Sequence, residues 1–292
     1  MKQLKLVSVM IIWGSVGLFS KSIPMTPVML AFYRALISLP ILFFYARNTK
    51  EKHSWTEMKP FLISGALIGL AWCALFQAFQ YSGIAIGILT YNMCPVYVMM
   101  LAPRLLNEQL RKIHILQVSI AILGLVMIVA SSLNKDAIEL GGIGFGILSG
   151  ILYALIVILN RRNHTSSISL GRATQLQMMA ACLVLLPIVI FQHPIQQICR
   201  LDAKEVLLLL ILGCVHTGIA YLMYFSTYAS LSAISVALIS YLEPVFGIIF
   251  GCLLLAEKLD FWKAAGGVFI LGSMLAGEFF KESVQFLQKK PG

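Results

Sequence analysis

Apolar residues fall in ten runs, roughly 3–20, 28–46, 60–80, 84–103, 113–131, 142–160, 173–192, 206–228, 233–255 and 262–280. Each has the ~20 residues that a helix rising 1.5 Å per residue needs to cross about 30 Å of hydrocarbon. The breaks between them are short and collect the charged residues. The pattern predicts an all-α integral membrane protein of ten transmembrane helices, with no stretch long enough for a soluble domain.

Composition supports lipid as the solvent. Hydrophobic residues make up 59% of the chain and charged residues 12%, against about 25% charged in soluble domains. Lys2 and Lys5 ahead of the first run resemble a signal peptide, but no A-x-A-like site follows and Lys21 leads into a second run. The first run is therefore expected to stay as a helix.

The net charge of +10 does not point to nucleic acid, because the cations are scattered through short loops without a basic patch. Their sidedness is informative. With a cytoplasmic N-terminus, fifteen Lys and Arg fall in inner loops and tails and five in outer loops, so both termini are expected inside. Five of the six cysteines lie in apolar runs and only Cys199 in a loop. They show no metal or disulfide spacing and are expected to be small apolar fillers.

Glu243 lies about 15 Å from either end of the ninth run, near the bilayer midplane. A carboxylate at that depth costs at least a few kcal/mol, so it is kept where it faces protein or a water-filled path. The alternative is that it hydrogen-bonds backbone groups freed near Pro244. Its surroundings, Ser240-Tyr241-Leu242-Glu243-Pro244-Val245, echo Thr90-Tyr91-Asn92-Met93-Cys94-Pro95-Val96. Pro95 and Pro244 are 149 residues apart, and so are Glu108 and Glu257. The chain thus divides into repeats at 1–132 and 133–292. An odd number of helices per repeat inverts the second copy, an arrangement typical of secondary transporters.

The doubled Pro-Val to Glu-x-Leu pattern, Trp13-Gly14 followed by Lys21, and ten helices in 292 residues together resemble the drug/metabolite transporter superfamily, EamA type. The likeness spans about residues 5–132 and 142–278. It implies an inverted-repeat carrier with a central cavity lined by helices 1, 3, 4, 6, 8 and 9. It also makes Trp13 a pathway residue and Lys21 an entrance or site charge, where position alone would make Lys21 interfacial. Two departures stand out: Asn107-Glu108-Gln109 replaces the usual Gly-Glu-Lys/Arg-like corner, and helix 7 has no counterpart of Arg34.

Helical spacing selects further candidates. Gly213, Thr217, Tyr221, Tyr224 and Tyr228 share one face of helix 8. Tyr221 could meet a ligand, whereas Tyr224 and Tyr228 are placed near the inner end, where an aromatic belt is expected. Tyr153 on helix 6 is a cavity candidate, beside a Gly142/Gly146/Gly150 packing ladder and an Asn160 expected to be solvated. Helix 3 offers Trp72 and Gln77. Tyr91 and Asn92 on helix 4, and Tyr241 and Glu243 on helix 9, flank the hinge candidates Pro95 and Pro244, each of which frees a carbonyl a turn earlier. Arg34 could snorkel outward, and His216 reads as a hydrogen-bonded core histidine.

No H-E-x-x-H, phosphate-binding loop or placeable Ser/His/Asp set occurs, so no metal, cofactor or ATP is expected. The expected function is secondary transport of a small polar metabolite, such as an amino acid or a nucleoside-type metabolite, across the plasma membrane (the inner membrane in a Gram-negative cell). The coupling solute would be a proton or an exchanged metabolite. An intramembrane enzyme using Glu243 with His216, or a ligand sensor, are the alternatives.

Overall fold

Helix starts follow local chemistry. Ser54 accepts from Glu57 N while the Glu57 side chain accepts from Ser54 N, and Asp202 and Glu205 form the same reciprocal cap. In the computed structural model, which describes residues 2–46, 54–130, 140–191, 198–254 and 259–288, all regular structure among those residues is helical. The elements are α1 (Lys2–Gly14), α2 (Val16–Ser22), α3 (Pro27–Ala46), α4 (Trp55–Tyr91), α5 (Cys94–Leu105) and α6 (Lys112–Ala130). They continue with α7 (Leu140–Arg162), α8 (Leu170–Ile190), α9 (Ala203–Thr227), α10 (Ala233–Ile239), α11 (Leu242–Leu254) and α12 (Phe261–Gln288). Among the described residues, eight helical segments are long and apolar enough to span a membrane, and Gln3–Phe19 and Phe261–Met274 are shorter apolar helices. Large side chains such as Phe44, Leu123, Leu183 and Leu253 point outward, which suits a lipid surround.

α4 contains a reversal. A Cβ on Gly87 would touch Ala78 Cβ at 3.5 Å, although a straight helix would hold residues nine apart at about 13 Å. The spanning segments are accordingly Trp55–Ser82 and Ile86–Leu105, which match the two runs expected there.

The two proline sites interrupt their helices alike. α4 ends at Tyr91 and α5 begins at Cys94, while α10 ends at Ile239 and α11 begins at Leu242. Each two-residue break lies just before the proline, whose missing N–H and ring exclude a regular turn. Freed groups find local partners: Asn92 Nδ2 donates to Ile88 O at 2.8 Å and Glu243 N to Ser240 O at 3.0 Å.

Small residues set the closest helix approaches. Gly14 of α1 meets Phe246 and Gly247 of α11, and Gly65 of α4 lies against the Gln177 backbone of α8. Gly142 and Gly146 of α7 pack on Ser82 and Thr90, the role expected of that ladder. Beside them, Ser149 Oγ donates to Ala71 O at 2.9 Å. Asn160 differs from expectation. It is buried, donates to Ser64 Oγ at 2.8 Å and accepts from Gln177 Nε2 at 2.9 Å. Its amide lies at the junction of α4, α7 and α8, where those partners replace water.

Candidate functional site

The break before Pro244 sets Glu243 in the first turn of α11, facing the matching break in the first half of the chain. Between them lies a cavity lined by Tyr91, Asn92, Cys94, Pro95, Tyr153, Val157, Ala237, Ser240 and Glu243. Its free volume is ≈ 10 Å³, about the room one water needs. Among the described residues, no group hydrogen-bonds the Glu243 carboxylate. The expected alternative, a carboxylate satisfying backbone freed near Pro244, is not the arrangement found.

Arg34 is the complementary charge. It is only 9% exposed and does not snorkel, because its polar contacts lie inside the bundle. Nε donates to Thr217 Oγ1 at 2.9 Å, and the guanidinium carbon sits 4.9 Å from the Trp72 ring centroid, a cation–π distance. Arg34 and Glu243 are within electrostatic reach of each other without a direct ion pair.

Thr217 is delivered by an irregular stretch. Leu212–Ile219 of α9 is π-helical, and Thr217 Oγ1 donates to Leu212 O, five residues back, at 3.0 Å. Such wide turns are rare and recur at functional sites. The same stretch presents His216 O to Trp13 Nε1 at 3.0 Å, and the His216 ring pairs with Ser15 Oγ at 2.8 Å. One irregular turn therefore orients both Arg34 and Trp13.

Aromatic rings fill the space around these charges. Trp13 lies 5.0 Å from Tyr221 and 4.8 Å from Tyr224 between centroids, and Tyr91 meets Tyr153 edge-on at 5.4 Å. These are favourable tilted and edge-to-face contacts. Tyr224 and Tyr228 are fully buried in this cluster rather than in an interfacial belt. The Tyr224 hydroxyl lies close to those of Tyr153 and Tyr228, while the buried Tyr241 hydroxyl has no hydrogen-bond partner among the described residues, an uncommon and costly condition.

Tyr91, Asn92, Pro95, Tyr153 and Glu243 are thus gathered at the cavity, with Trp13, Trp72 and Tyr221 in the adjoining aromatic cluster. Tyr241 is buried nearby without lining the cavity, Pro244 stands one residue from it, and Gln77 is half-buried outside both groups. The Lys21 side chain and Glu257 lie outside the described residues. Sequence reasoning offered Arg34 as a neighbour of Glu243 without placing it, and set Tyr224 and Tyr228 in an interfacial belt. It missed a contact set at the Arg161 end of the cluster, where Glu108 accepts from Arg161 Nε at 3.2 Å.

Spanning helices, a buried cation, a half-buried intramembrane carboxylate and no grouping of His, Cys, Asp or Glu suited to a metal among the described residues define a polytopic membrane protein with a polar centre. The EamA-like transporter family matches residues 3–130 and 140–276, and the chain belongs to that family within the drug/metabolite transporter superfamily. It is a multi-pass transporter of the plasma membrane, not an enzyme, and its partners are the bilayer and a small-molecule substrate. An uncharacterised transporter of Bacillus subtilis (strain 168), YxxF, is 26% identical over 277 residues, covering 93% of this chain and 87% of that protein. A probable amino-acid metabolite efflux pump of Salmonella typhimurium is 25% identical over 288 residues, covering 93% and 92%. A solved crystal structure shares the fold at TM-score 0.82 and 15% identity, covering 96% of this chain and 97% of that one.

Proposed function

We propose that the chain is a secondary active transporter that moves a small zwitterionic metabolite, an amino acid or a close derivative, by alternating access. The carrying observation is the buried Arg34 and the half-buried, cavity-lining Glu243 without a direct ion pair, beside a tyrosine-lined cavity where the two helix breaks meet. Arg34 suits a carboxylate and Glu243 an ammonium. The Salmonella relative, a probable amino-acid metabolite efflux pump, supports the same chemistry. Nucleoside-type metabolites are the second reading, favoured by flat rings that could stack on Tyr91 and Tyr153.

The cavity's ≈ 10 Å³ is far below the ~300–1,000 Å³ of ligand pockets. Substrate must therefore enter a different, open conformation. We read the two matched stretches as inverted five-helix halves, 1–132 and 133–292, with both ends of the chain cytoplasmic and a proton or a second metabolite as the coupling solute. Counterflow of labelled amino acids and nucleosides in sealed vesicles tests the function. Accumulation of an amino acid against a preloaded unlabelled pool is expected, and no flux of either class would overturn the reading. Comparing the metabolites of cells with and without the protein chooses the panel.

Topology has its own check. Cys199 is exposed, between α8 and α9, and is expected to react with a membrane-impermeant maleimide added outside intact cells. Reaction only after permeabilisation would reverse the proposed orientation.

The helix breaks should matter for turnover. Pro95→Ala and Pro244→Ala each restore a backbone donor and are expected to slow transport about tenfold, the effect of ~1.4 kcal/mol on a barrier, with normal membrane yield. Parental rates in both variants would reduce the prolines to tolerated kinks.

A further inference from the structure

The corner after α5 carries a contact set that the central cavity does not use. Asn107 adopts a left-handed conformation, φ 54°, which Asn tolerates better than most residues. This turns Glu108 back toward the second half of the chain. Its carboxylate accepts from Ala233 N at 2.8 Å and Ile234 N at 3.2 Å, at the start of α10, and from Arg161 Nε at 3.2 Å, at the end of α7. Arg161 in turn donates from Nη1 to Tyr228 O, just past the end of α9. One carboxylate therefore ties the α5 corner to the end of α7 and the start of α10, 53 to 126 residues later, and through Arg161 to the end of α9.

Above this knot the packing is closed and lined by tyrosine. Tyr228 and Tyr224 are in edge-on contact at 5.5 Å, their hydroxyls turned toward each other, and Tyr224 adjoins the cavity-lining Tyr153 at 6.5 Å. Cys94, on the cavity wall, is only 5% exposed. A column of buried tyrosine hydroxyls running from cavity to knot is better suited to a path that is periodically wetted than to a permanent apolar core.

We propose that Glu108 and Arg161 form the latch that shuts the Arg161 end of the transport path, and that its release opens the path past Tyr228 and Tyr224 to the cavity. This rests on the carrier reading above. Charge-assisted bonds suit such a role, being strong when closed and replaceable by water once the ends part. Removing the Glu108 charge should shift the population toward the open form without altering the cavity itself.

The test uses the full chain in inside-out and right-side-out vesicles, with a charged methanethiosulfonate and site-resolved mass spectrometry of each cysteine. In E108Q and R161Q, Cys94 is expected to react about tenfold faster from the Arg161 face, the population change for losing one charge-assisted contact. Its rate from the opposite face should not rise, and E108D should stay closer to the parent. Cys182, also buried at 8% but outside the cavity lining, is the control for loosening. An unchanged Cys94 rate in folded E108Q overturns the latch. So does equal acceleration at Cys182, which would make Glu108 a general stabiliser. Labelling requires no turnover, so faster Cys94 reaction without solute flux would fault the carrier reading, and flux without faster reaction would fault the latch.

Discussion

Glu243→Gln is expected to weaken substrate binding by roughly 10- to 100-fold, the loss of one hydrogen bond to a charged partner at about 1.5–3 kcal/mol. Gln keeps the length and polarity of the side chain but not its charge. Because no described residue hydrogen-bonds the carboxylate, the substitution leaves no protein donor stranded, and folded yield should be near normal. Glu243→Leu should lose binding further, since Gln keeps an amide oxygen that can still accept from the ammonium and Leu does not. Equilibrium binding and counterflow on purified variants decide the matter. A Gln variant with parental affinity and rate would show that the substrate never meets Glu243. The proposed site would then have to move toward Arg34 and the rings around Trp13.

Gly65→Ala is expected to be the most damaging small substitution away from that site. A Cβ there would stand 2.6 Å from Gln177 Cα and 2.7 Å from its carbonyl carbon. Both are backbone atoms, which cannot rotate aside, so α4 and α8 must separate. That separation would also pull apart the Ser64–Asn160–Gln177 hydrogen bonds beside the contact. A loss of about 3 kcal/mol is expected, at the upper end for overpacking. It should be read as a lower unfolding midpoint in detergent, with poor membrane yield. Gly144→Ala is the comparison: nothing lies within 4 Å of the added carbon, and a change within about 0.5 kcal/mol is expected. Equal midpoints for the two variants would mean that the α4–α8 contact yields more readily than its geometry implies.

The features most legible in the sequence are those with a local cause. Spanning segments follow from runs of apolar residues, and the breaks before Pro95 and Pro244 follow from a missing donor. Glu243 is conspicuous because no other acid lies so deep in an apolar run. Arg34 was harder to place. Depth along a helix can be counted, but whether a long cationic side chain turns inward depends on what the neighbouring helices offer, here Thr217 and Trp72. Thr217 itself is presented by a π-helical turn, which spacing arguments built on 3.6 residues per turn do not anticipate. The position of Tyr228 near a helix end suggests a water interface, yet it is buried, with Tyr224 and Phe225 against its ring and Arg161 on its carbonyl. Glu108 could be recognised as part of a corner motif, but its partner Arg161 lies 53 residues away with no local mark of the pairing.

The near-absence of open space beside Glu243 also has a volumetric side. An open form that admits a metabolite must gain at least several hundred Å³, and at about 30 Å³ per molecule, roughly ten or more waters fill it whenever the substrate is absent. Opening and closing therefore take up and expel water as stoichiometrically as they do solute. Water activity is then a reactant in the cycle: solutes excluded from the path pull water out of the open form and favour the dry one, even when they touch no residue of the protein.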